Sequence, residues 1–143
     1  MAASKNSGKI RYAVVGLGHI AQVAVLPAFA HARSNSQLTA LVSDDPQKLK
    51  SLGRHYRVDQ LFSYDEYDDC LRSGFVDAVY IALPNHLHAK YTIAAAKAGI
   101  HILCEKPMAV TEKECWAMIG AADLAGVKLM IAYRLHFEDA NMT

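Results

Sequence analysis

A glycine-rich turn that directly follows an apolar run constrains the fold of this chain more than any other feature. Residues 10–15 are predicted to form a strand, and the turn after them reads Gly16-Leu17-Gly18-His19-Ile20-Ala21. Gly16 permits a tight turn, Gly18 lets a ligand approach the backbone, and Ala21 is small enough for a helix to pack on the strand. The first amides of that helix would donate to a phosphate group. The candidate contacts in this turn are Gly16, Leu17, Gly18, His19 and Ile20.

Strand-like and helix-like segments alternate along the rest of the chain, and this context favours a ligand-binding turn over an unliganded one. Strands are predicted at residues 10–15, 38–42, 60–62, 77–82, 100–104 and 127–132. Helical segments are predicted from about 19, where Pro27 should kink or split the helix, and at 46–56, 64–72, 87–98 and 111–126. Because parallel crossovers are right-handed, the pattern predicts an α/β fold, a doubly wound Rossmann sheet of six parallel strands in the order 3-2-1-4-5-6.

Size, charge and cysteine content narrow the classes of function. The 143 residues suffice for one domain with a hydrophobic core. A net charge of +1 gives no indication of a nucleic-acid partner, and no apolar run reaches the roughly 18 residues of a membrane span. Cys70, Cys104 and Cys115 form neither a paired framework nor a zinc motif, so no metal is expected. Reduced cysteines and a polar N-terminus favour a cytoplasmic location, although a removed leader would leave the same sequence.

The residues after strand two determine which form of a dinucleotide would fit. Ser43 and Lys48 can hold the 2′-phosphate of NADP through a hydroxyl and an ammonium group. Asp44, if it points inwards, would instead accept from the 2′-hydroxyl of NAD and repel a phosphate. These residues alone leave the choice between NADP and NAD open. Tyr64, after strand three, is either an adenine contact or an ordinary half-buried tyrosine.

The segment after strand four reaches the same sheet edge and is expected to lie against the cofactor. Asn85 is predicted to cap the following helix, and His88 to pack or hydrogen-bond near the cofactor. His86 and His88 are spaced like metal ligands, but no third ligand lies near them in sequence, so a metal site is not predicted. The candidate contacts in this segment are Ala82, Leu83, Pro84, Asn85 and His88.

The motif Glu105-Lys106-Pro107 at the end of strand five carries the candidate catalytic chemistry. Lys106 would hold a substrate hydroxyl near the nicotinamide and stabilise the negative charge that develops on its oxygen. Glu105 would bind the nicotinamide ribose, and Pro107, which suits a cis peptide bond, would aim both side chains. Without the glycine turn, a surface salt bridge would be the better explanation of the pair. Arg134, just past strand six, is placed to reach the cofactor or a partner domain.

Four motifs together resemble the glucose–fructose oxidoreductase / inositol dehydrogenase / MocA family, and within it the glucose–fructose oxidoreductase pattern most of all. They are residues 16–21, 81–88, 104–107 and 132–134, and they occur in the family's order. The resemblance implies that Ser43 and Lys48 hold the NADP phosphate and that Tyr64 contacts the adenine end, which favours NADP over NAD. Asp44 departs from this pattern and keeps NAD open.

The resemblance also implies how the chain is organised. Residues 1–9 would be an N-terminal tail, 10–133 an NAD(P)-binding Rossmann domain, and 134–143 a truncated linker toward a missing C-terminal domain. Because that second domain supplies most substrate contacts in the family, the chain is expected to bind the dinucleotide without turning over a sugar or polyol itself. Hydride transfer to and from the sugar would belong to the complete parent. The alternative is an interaction module without competent dinucleotide binding, which self-associates through the surface exposed by truncation.

Overall fold

The computed structural model describes residues 8–133, which form a single parallel sheet with helices on both faces. Its six strands are β1 (Ile10–Val15), β2 (Ser36–Val42), β3 (Gln60–Phe62), β4 (Ala78–Ile81), β5 (His101–Glu105) and β6 (Leu129–Ala132). They lie in the order β3-β2-β1-β4-β5-β6, which confirms the predicted fold class and strand order. β2 begins two residues before its predicted start because Ser36 pairs with Ile10 at the start of β1.

Five helices connect the strands within the described residues. They are α1 (π-helical over Ala21–Val25, α-helical over Leu26–Ala28), α2 (Pro46–Tyr56), α3 (Tyr67–Arg72), α4 (His88–Lys97) and α5 (Glu112–Ala125). Short 3₁₀ turns at Tyr64–Glu66 and Asn85–Leu87 lead into α3 and α4. Thr111 and Glu114 form the predicted capping box, and Gly126, with φ 69°, ends α5 as predicted.

Pro27 has the predicted effect on the first helix. It has no backbone N–H, and its ring would collide with the carbonyl group four residues earlier in a regular α-helix. The chain responds with a wider π turn, in which the Leu26 N–H donates to the Ala21 oxygen. Ala21, the small residue predicted to pack this helix on the sheet, is fully buried.

The prediction that Asn85 caps α4 is wrong. Asn85 is the first residue of the 3₁₀ turn, the preceding Pro84 takes the capping position, and no side chain caps this turn. The turn closes through a bond from the Leu87 N–H to the Pro84 oxygen, 3.0 Å long. Asn85 is therefore one position too late to cap, and its side chain is exposed.

The two faces of the sheet are covered unequally. On one face α3, α4 and α5 pack over β1, β2, β4 and β5, and the core there includes Val15, Val42 and Ile81. On the other face α1 and α2 pack over Val14 and Leu41 of β1 and β2. The remaining part of that face, toward β5 and β6, borders an open groove. No helix between residues 8 and 133 is long and apolar enough to cross a membrane.

Candidate functional site

Gly16 forms the tight turn at the end of β1, where the chain passes between two neighbouring segments. Its φ of +96° is a conformation that side-chain-bearing residues rarely adopt, and a Cβ atom built there would lie 2.6 Å from the Ala82 oxygen. The Gly16 N–H donates to the Val42 oxygen at 2.9 Å. The glycine is therefore required by the protein backbone itself, which holds the turn against the ends of β2 and β4.

Gly18 differs from Gly16 because its surroundings are open. It is exposed, and a Cβ atom built there would meet no protein atom within 4 Å. Gln22 holds the turn from beneath, since its Nε2 donates to the Leu17 oxygen at 2.8 Å. The fold does not require glycine at this position, but a ligand lying close to the backbone would.

A cleft of about 520 Å³ adjoins this turn at the carboxyl ends of β1, β2 and β4. This is the sheet edge at which ligands bind in open parallel folds. The cleft brings together most of the predicted contacts from the segments that follow four strands, namely Gly16, Leu17, Gly18, Ser43, Asp44, Lys48, Tyr64, Ala82, Leu83 and Pro84. It also includes Asp45 and Pro46, which sequence reasoning had not selected as contacts.

Ser43 is nearly buried at the end of β2, with its backbone N–H bonded to the Phe62 oxygen at 3.0 Å. Its Oγ accepts from the Asp45 N–H at 3.1 Å, so the hydroxyl proton is free to be donated into the cleft. Asp45 caps α2, because its carboxylate accepts from the backbone of Gln47 and Lys48. This cap orients the first turn of α2, from which the exposed Lys48 side chain lines the cleft.

Asp44 is exposed and has a structural partner. Its Oδ1 accepts from the Tyr64 N–H at 3.0 Å, which ties the end of β2 to the turn after β3. Partial burial, and then the nearby Asp44 carboxylate, raise the pKa of the Tyr64 phenol, so this group is neutral at physiological pH. Its ring packs edge-on to Tyr91 with the centroids 5.9 Å apart. Tyr64 thus forms a neutral aromatic wall of the cleft.

Glu105 ends β5 and is held by a tyrosine of the neighbouring strand. The Tyr80 hydroxyl donates to Glu105 Oε1 at 2.5 Å. Tyr80 pairs with Leu103, two residues before Glu105, so the side chains lie on one face of the sheet. Sequence reasoning missed Tyr80. The alternation of side chains along β5 is visible in the sequence, but the β4–β5 register that brings the two residues together is not.

Lys106 and Pro107 follow directly, and their peptide bond is cis. Lys106 is exposed, whereas the Pro107 carbonyl turns toward the protein and meets His88 Nδ1 at 2.8 Å. The other ring nitrogen of His88, Nε2, lies 2.8 Å from the Leu83 oxygen. His88 is fully buried, so the hydrogen bonding and packing predicted for it are made with the protein.

Glu105 and Lys106 border a second concavity, an apolar groove of about 600 Å³ on the open part of the sheet face. Ile20 and Phe29 of the first helical segment form one wall, and Leu103 and Met130 form part of the sheet side. The predicted residues are therefore divided between the cleft and one end of this groove. His19 and Asn85 are exposed outside the residues that line either one. Arg134 lies outside the described residues.

Neither a thiol nor a metal cluster adds chemistry to these concavities. Burial raises the pKa of the Cys70 and Cys104 thiols to about 12, so both stay protonated and unreactive at neutral pH. Over residues 8–133, no three His, Cys, Asp or Glu side chains gather closely enough to hold a metal ion. The polar groups that line the two concavities are hydroxyls, carboxylates, the ammonium groups of Lys48 and Lys106, and backbone amides.

Comparison with known proteins agrees with this arrangement. Residues 10–133 match the oxidoreductase family with an NAD-binding Rossmann fold that is named for glucose–fructose oxidoreductase, inositol dehydrogenase and MocA. The chain is 37% identical over 132 residues to a D-xylose 1-dehydrogenase [NADP(+)] of Haloarcula marismortui, covering 92% of this chain and 36% of that protein.

Solved structures show the same fold. Aldose–aldose oxidoreductase from Caulobacter crescentus, complexed with glycerol, superposes with a TM-score of 0.89 at 45% identity, covering 94% of this chain and 40% of that one. The WlbA dehydrogenase of Bordetella pertussis, in complex with NADH and UDP-GlcNAcA, gives 0.86 at 30% identity, with 94% and 40% covered. The chain thus spans little more than a third of the length of the relatives it matches. It belongs to the glucose–fructose oxidoreductase / inositol dehydrogenase / MocA family and forms that family's NAD-binding Rossmann domain.

Proposed function

We propose that the chain binds NADP(H) in preference to NAD(H), as the cofactor domain of an oxidoreductase that moves hydride between a sugar or polyol carbon and nicotinamide. The observation that carries this proposal is the cleft at the carboxyl ends of β1, β2 and β4. There the open backbone at Gly18 faces the same space as Ser43 and Lys48. An exposed glycine beside a helix start, a hydroxyl and an ammonium group together suit a phosphate-bearing ligand.

The residues present fit a dinucleotide. Because Gly18 has no side chain, the open space beside its backbone, which a Cβ atom would enter, has room for a pyrophosphate. The amides of Leu17, His19 and Ile20 lie in the turn and the start of the helix, where backbone donors lack intrahelical acceptors. Tyr64 offers a neutral ring at the adenine end of the cleft. Leu83 and Pro84 supply an apolar wall on the side of the glycine turn toward β5.

The proposed preference for NADP rests on the hydrogen bonds that the polar side chains after β2 make within the protein. Ser43 accepts a backbone hydrogen bond and keeps its proton for a phosphate oxygen, while Lys48 offers a full positive charge. One oxygen of Asp44 accepts from the Tyr64 N–H. A carboxylate engaged in this way is a weaker competitor for the ribose hydroxyl than a free one, although its charge still disfavours a phosphate.

The remaining roles belong to the Glu-Lys-Pro turn. When bound, the nicotinamide supplies the centre that accepts or gives up hydride. Lys106 would donate a hydrogen bond from its ammonium group to the reacting oxygen of the substrate and stabilise the charge on it. Glu105, oriented by Tyr80, would accept from a ribose hydroxyl of the nicotinamide half.

A fluorescence titration with NADPH and NADH tests the cofactor proposal. We expect tighter binding of NADPH, and we expect Lys48→Ala to weaken NADPH binding about tenfold while leaving NADH binding unchanged, since only NADPH carries the phosphate. Lys50→Ala is the matched control, because Lys50 is an exposed lysine of the same helix that does not line the cleft. Equal losses for both nucleotides, or none, would contradict the assignment of Lys48.

The substrate contacts are proposed to come from protein beyond these 143 residues, since the chain spans only 36% of the xylose dehydrogenase relative. In this proposal residues 10–133 are the cofactor domain, 134–143 lead toward the substrate domain, and the isolated chain has negligible sugar-dependent turnover. An assay of NADP⁺ reduction with xylose, glucose and inositol checks this point. Robust turnover by the isolated chain would contradict it.

A second candidate function, self-association as an interaction module, is favoured by the open groove. Met130 is 47% exposed and Tyr133 52% exposed where they line it. A contiguous apolar surface of this kind favours contact with another chain. Sedimentation analysis of the purified chain, with and without NADPH, separates the two functions. A stable dimer that binds no nucleotide would support the second candidate against the first.

A further inference from the structure

We propose that His88 is a positioning residue that locks the Lys106–Pro107 turn to the wall of the dinucleotide cleft. The inference rests on the proposed function, because it assigns the role that His88 would play at that site. His88 begins α4, is fully buried, and contacts one carbonyl in each of two turns. Because the ring is fully buried, it would act on a bound ligand only through these two turns.

The two carbonyls belong to segments that follow neighbouring strands. Leu83 comes after β4 and lines the cleft, whereas Pro107 comes after β5 and directly follows Lys106. His88 Nε2 lies 2.8 Å from the Leu83 oxygen, and Nδ1 lies 2.8 Å from the Pro107 oxygen. The imidazole therefore lies between the two turns, with each ring nitrogen within hydrogen-bond distance of one carbonyl oxygen.

Both partners are acceptors, so each bond depends on a ring N–H. A neutral imidazole carries one N–H and donates to one carbonyl, whereas the imidazolium form donates to both. In either form the ring fills the space between the turns and keeps their separation fixed. Since Lys106 has a long, exposed side chain, the backbone of its own turn sets the point from which its ammonium group reaches the nicotinamide end.

The adenine end of the cleft is held by other contacts. Asp44 bonds to the Tyr64 backbone, and Ser43 bonds to the backbone of Phe62 and Asp45. Loss of the His88 bridge should therefore disturb the nicotinamide end and leave the adenine end intact. An effect confined to the nicotinamide end would distinguish a positioning role from a general contribution to the stability of the core.

Two variants and one control test the proposal. His88→Phe keeps a ring but removes both ring nitrogens, whereas His88→Gln retains an amide group that can still donate. His86→Gln is the control, because His86 is exposed and lies only two residues away in the turn before α4. Should His88→Phe fail to fold, the comparison of His88→Gln with His86→Gln carries the test.

The first readout is hydrogen exchange on the ligand-free chain. In His88→Phe we expect exchange to accelerate about tenfold at residues 83–87 and 105–109, with β1 and β2 unchanged and His88→Gln intermediate. Unchanged exchange at 105–109, or faster exchange throughout the sheet, would overturn the proposal. This readout decides on the bridge even if the chain binds no nucleotide, a result that would instead refute the proposed function.

The second readout compares NADPH with 2′,5′-ADP, which carries only the adenine half. We expect His88→Phe to weaken NADPH binding about fivefold to tenfold while 2′,5′-ADP binding stays within about twofold. His88→Gln should restore part of the loss, and His86→Gln should match the unmodified chain. Equal weakening of both ligands, or of neither, would show that His88 does not position the turn.

Discussion

The glycine turn after β1 and the Glu-Lys-Pro turn after β5 lie at the same edge of one sheet, but they are held in different ways. Gly16 is fixed by backbone alone, through its bond to Val42 and its close approach to Ala82. The Glu-Lys-Pro turn is fixed by side chains from other elements, Tyr80 on β4 and His88 on α4. At Gly16 the first turn therefore tolerates no added atom, whereas the second turn depends on partners whose loss weakens it gradually.

The largest effect is expected at Gly16. Gly16→Ala would place a Cβ atom 2.6 Å from the Ala82 oxygen in a left-handed conformation. Strain and collision together should cost about 3 kcal/mol of unfolding free energy. Chemical denaturation measures this loss. Gly120→Ala is the control, because Gly120 lies within α5 with nothing within 4 Å of a built Cβ, and it should gain about 0.5–1 kcal/mol. Similar stabilities for the two variants would show that the backbone does not fix the glycine turn.

A substitution at Gly18 should weaken NADPH binding, whereas a substitution at Gly16 should lower the stability of the fold. Gly18→Val meets no protein atom at its Cβ, so the free energy of unfolding should change by no more than about 0.5 kcal/mol. The side chain would occupy the space proposed for the pyrophosphate, and NADPH affinity should fall about 100-fold. Calorimetric titration beside a thermal melt measures both quantities. If the variant binds NADPH normally, the pyrophosphate does not lie at this turn, and the interaction module becomes the better explanation.

At the second turn the expected effect is smaller. Tyr80→Phe removes the hydroxyl that donates to Glu105 Oε1 and leaves the carboxylate free to rotate. NADPH affinity should fall about fivefold, with no change for 2′,5′-ADP. Tyr12→Phe is the matched control, since Tyr12 lines the same groove and its ring packs against Phe29 with centroids 5.5 Å apart. If both variants behave alike, the Tyr80–Glu105 bond has no part in binding.

The smallest effect is expected at the opposite end of the sheet, away from both turns. Arg11 makes a paired contact with Asp77, with Nη2 to Oδ1 at 2.8 Å and Nε to Oδ2 at 2.9 Å. The hydrogen bonds from Arg11 hold the pKa of the Asp77 carboxyl below its ordinary value. The pair therefore stabilises the fold above about pH 4, and the gain is lost as the pH falls through the lowered pKa of the folded state.

Asp77→Asn tests this pair. Since both side chains are partly exposed, the variant should lose only about 0.5–1 kcal/mol at pH 7. The difference from the unmodified chain should shrink as the pH falls from 7 through the lowered pKa of Asp77, and NADPH binding should not change. Denaturation curves over this pH range check the sign. A deficit that grew with acidity would contradict the lowered pKa.

The difference between the two turns also explains how far the sequence could predict the site. The Gly16 turn is a local feature, so its residues and spacing already indicated its geometry, and the alternation of strands fixed the sheet order. The bonds from Tyr80 to Glu105 and from His88 to Pro107 join residues 25 and 19 positions apart. They depend on strand register and on the packing of α4, neither of which leaves a pattern in one sequence. Asn85 was misjudged for a related reason, because the helix is preceded by a 3₁₀ turn that starts at Asn85 itself.

We infer that the glycine turn holds the pyrophosphate and the Glu-Lys-Pro turn the nicotinamide half of one bound dinucleotide. Amide chemical shifts followed by NMR during titration with NADPH test this inference. We predict saturable shifts both at residues 16–20 and at residues 105–108, whereas 2′,5′-ADP shifts the amides near Ser43 and Tyr64 without those at 105–108. Shifts confined to one turn, or an absence of shifts at saturating NADPH, would contradict the claim.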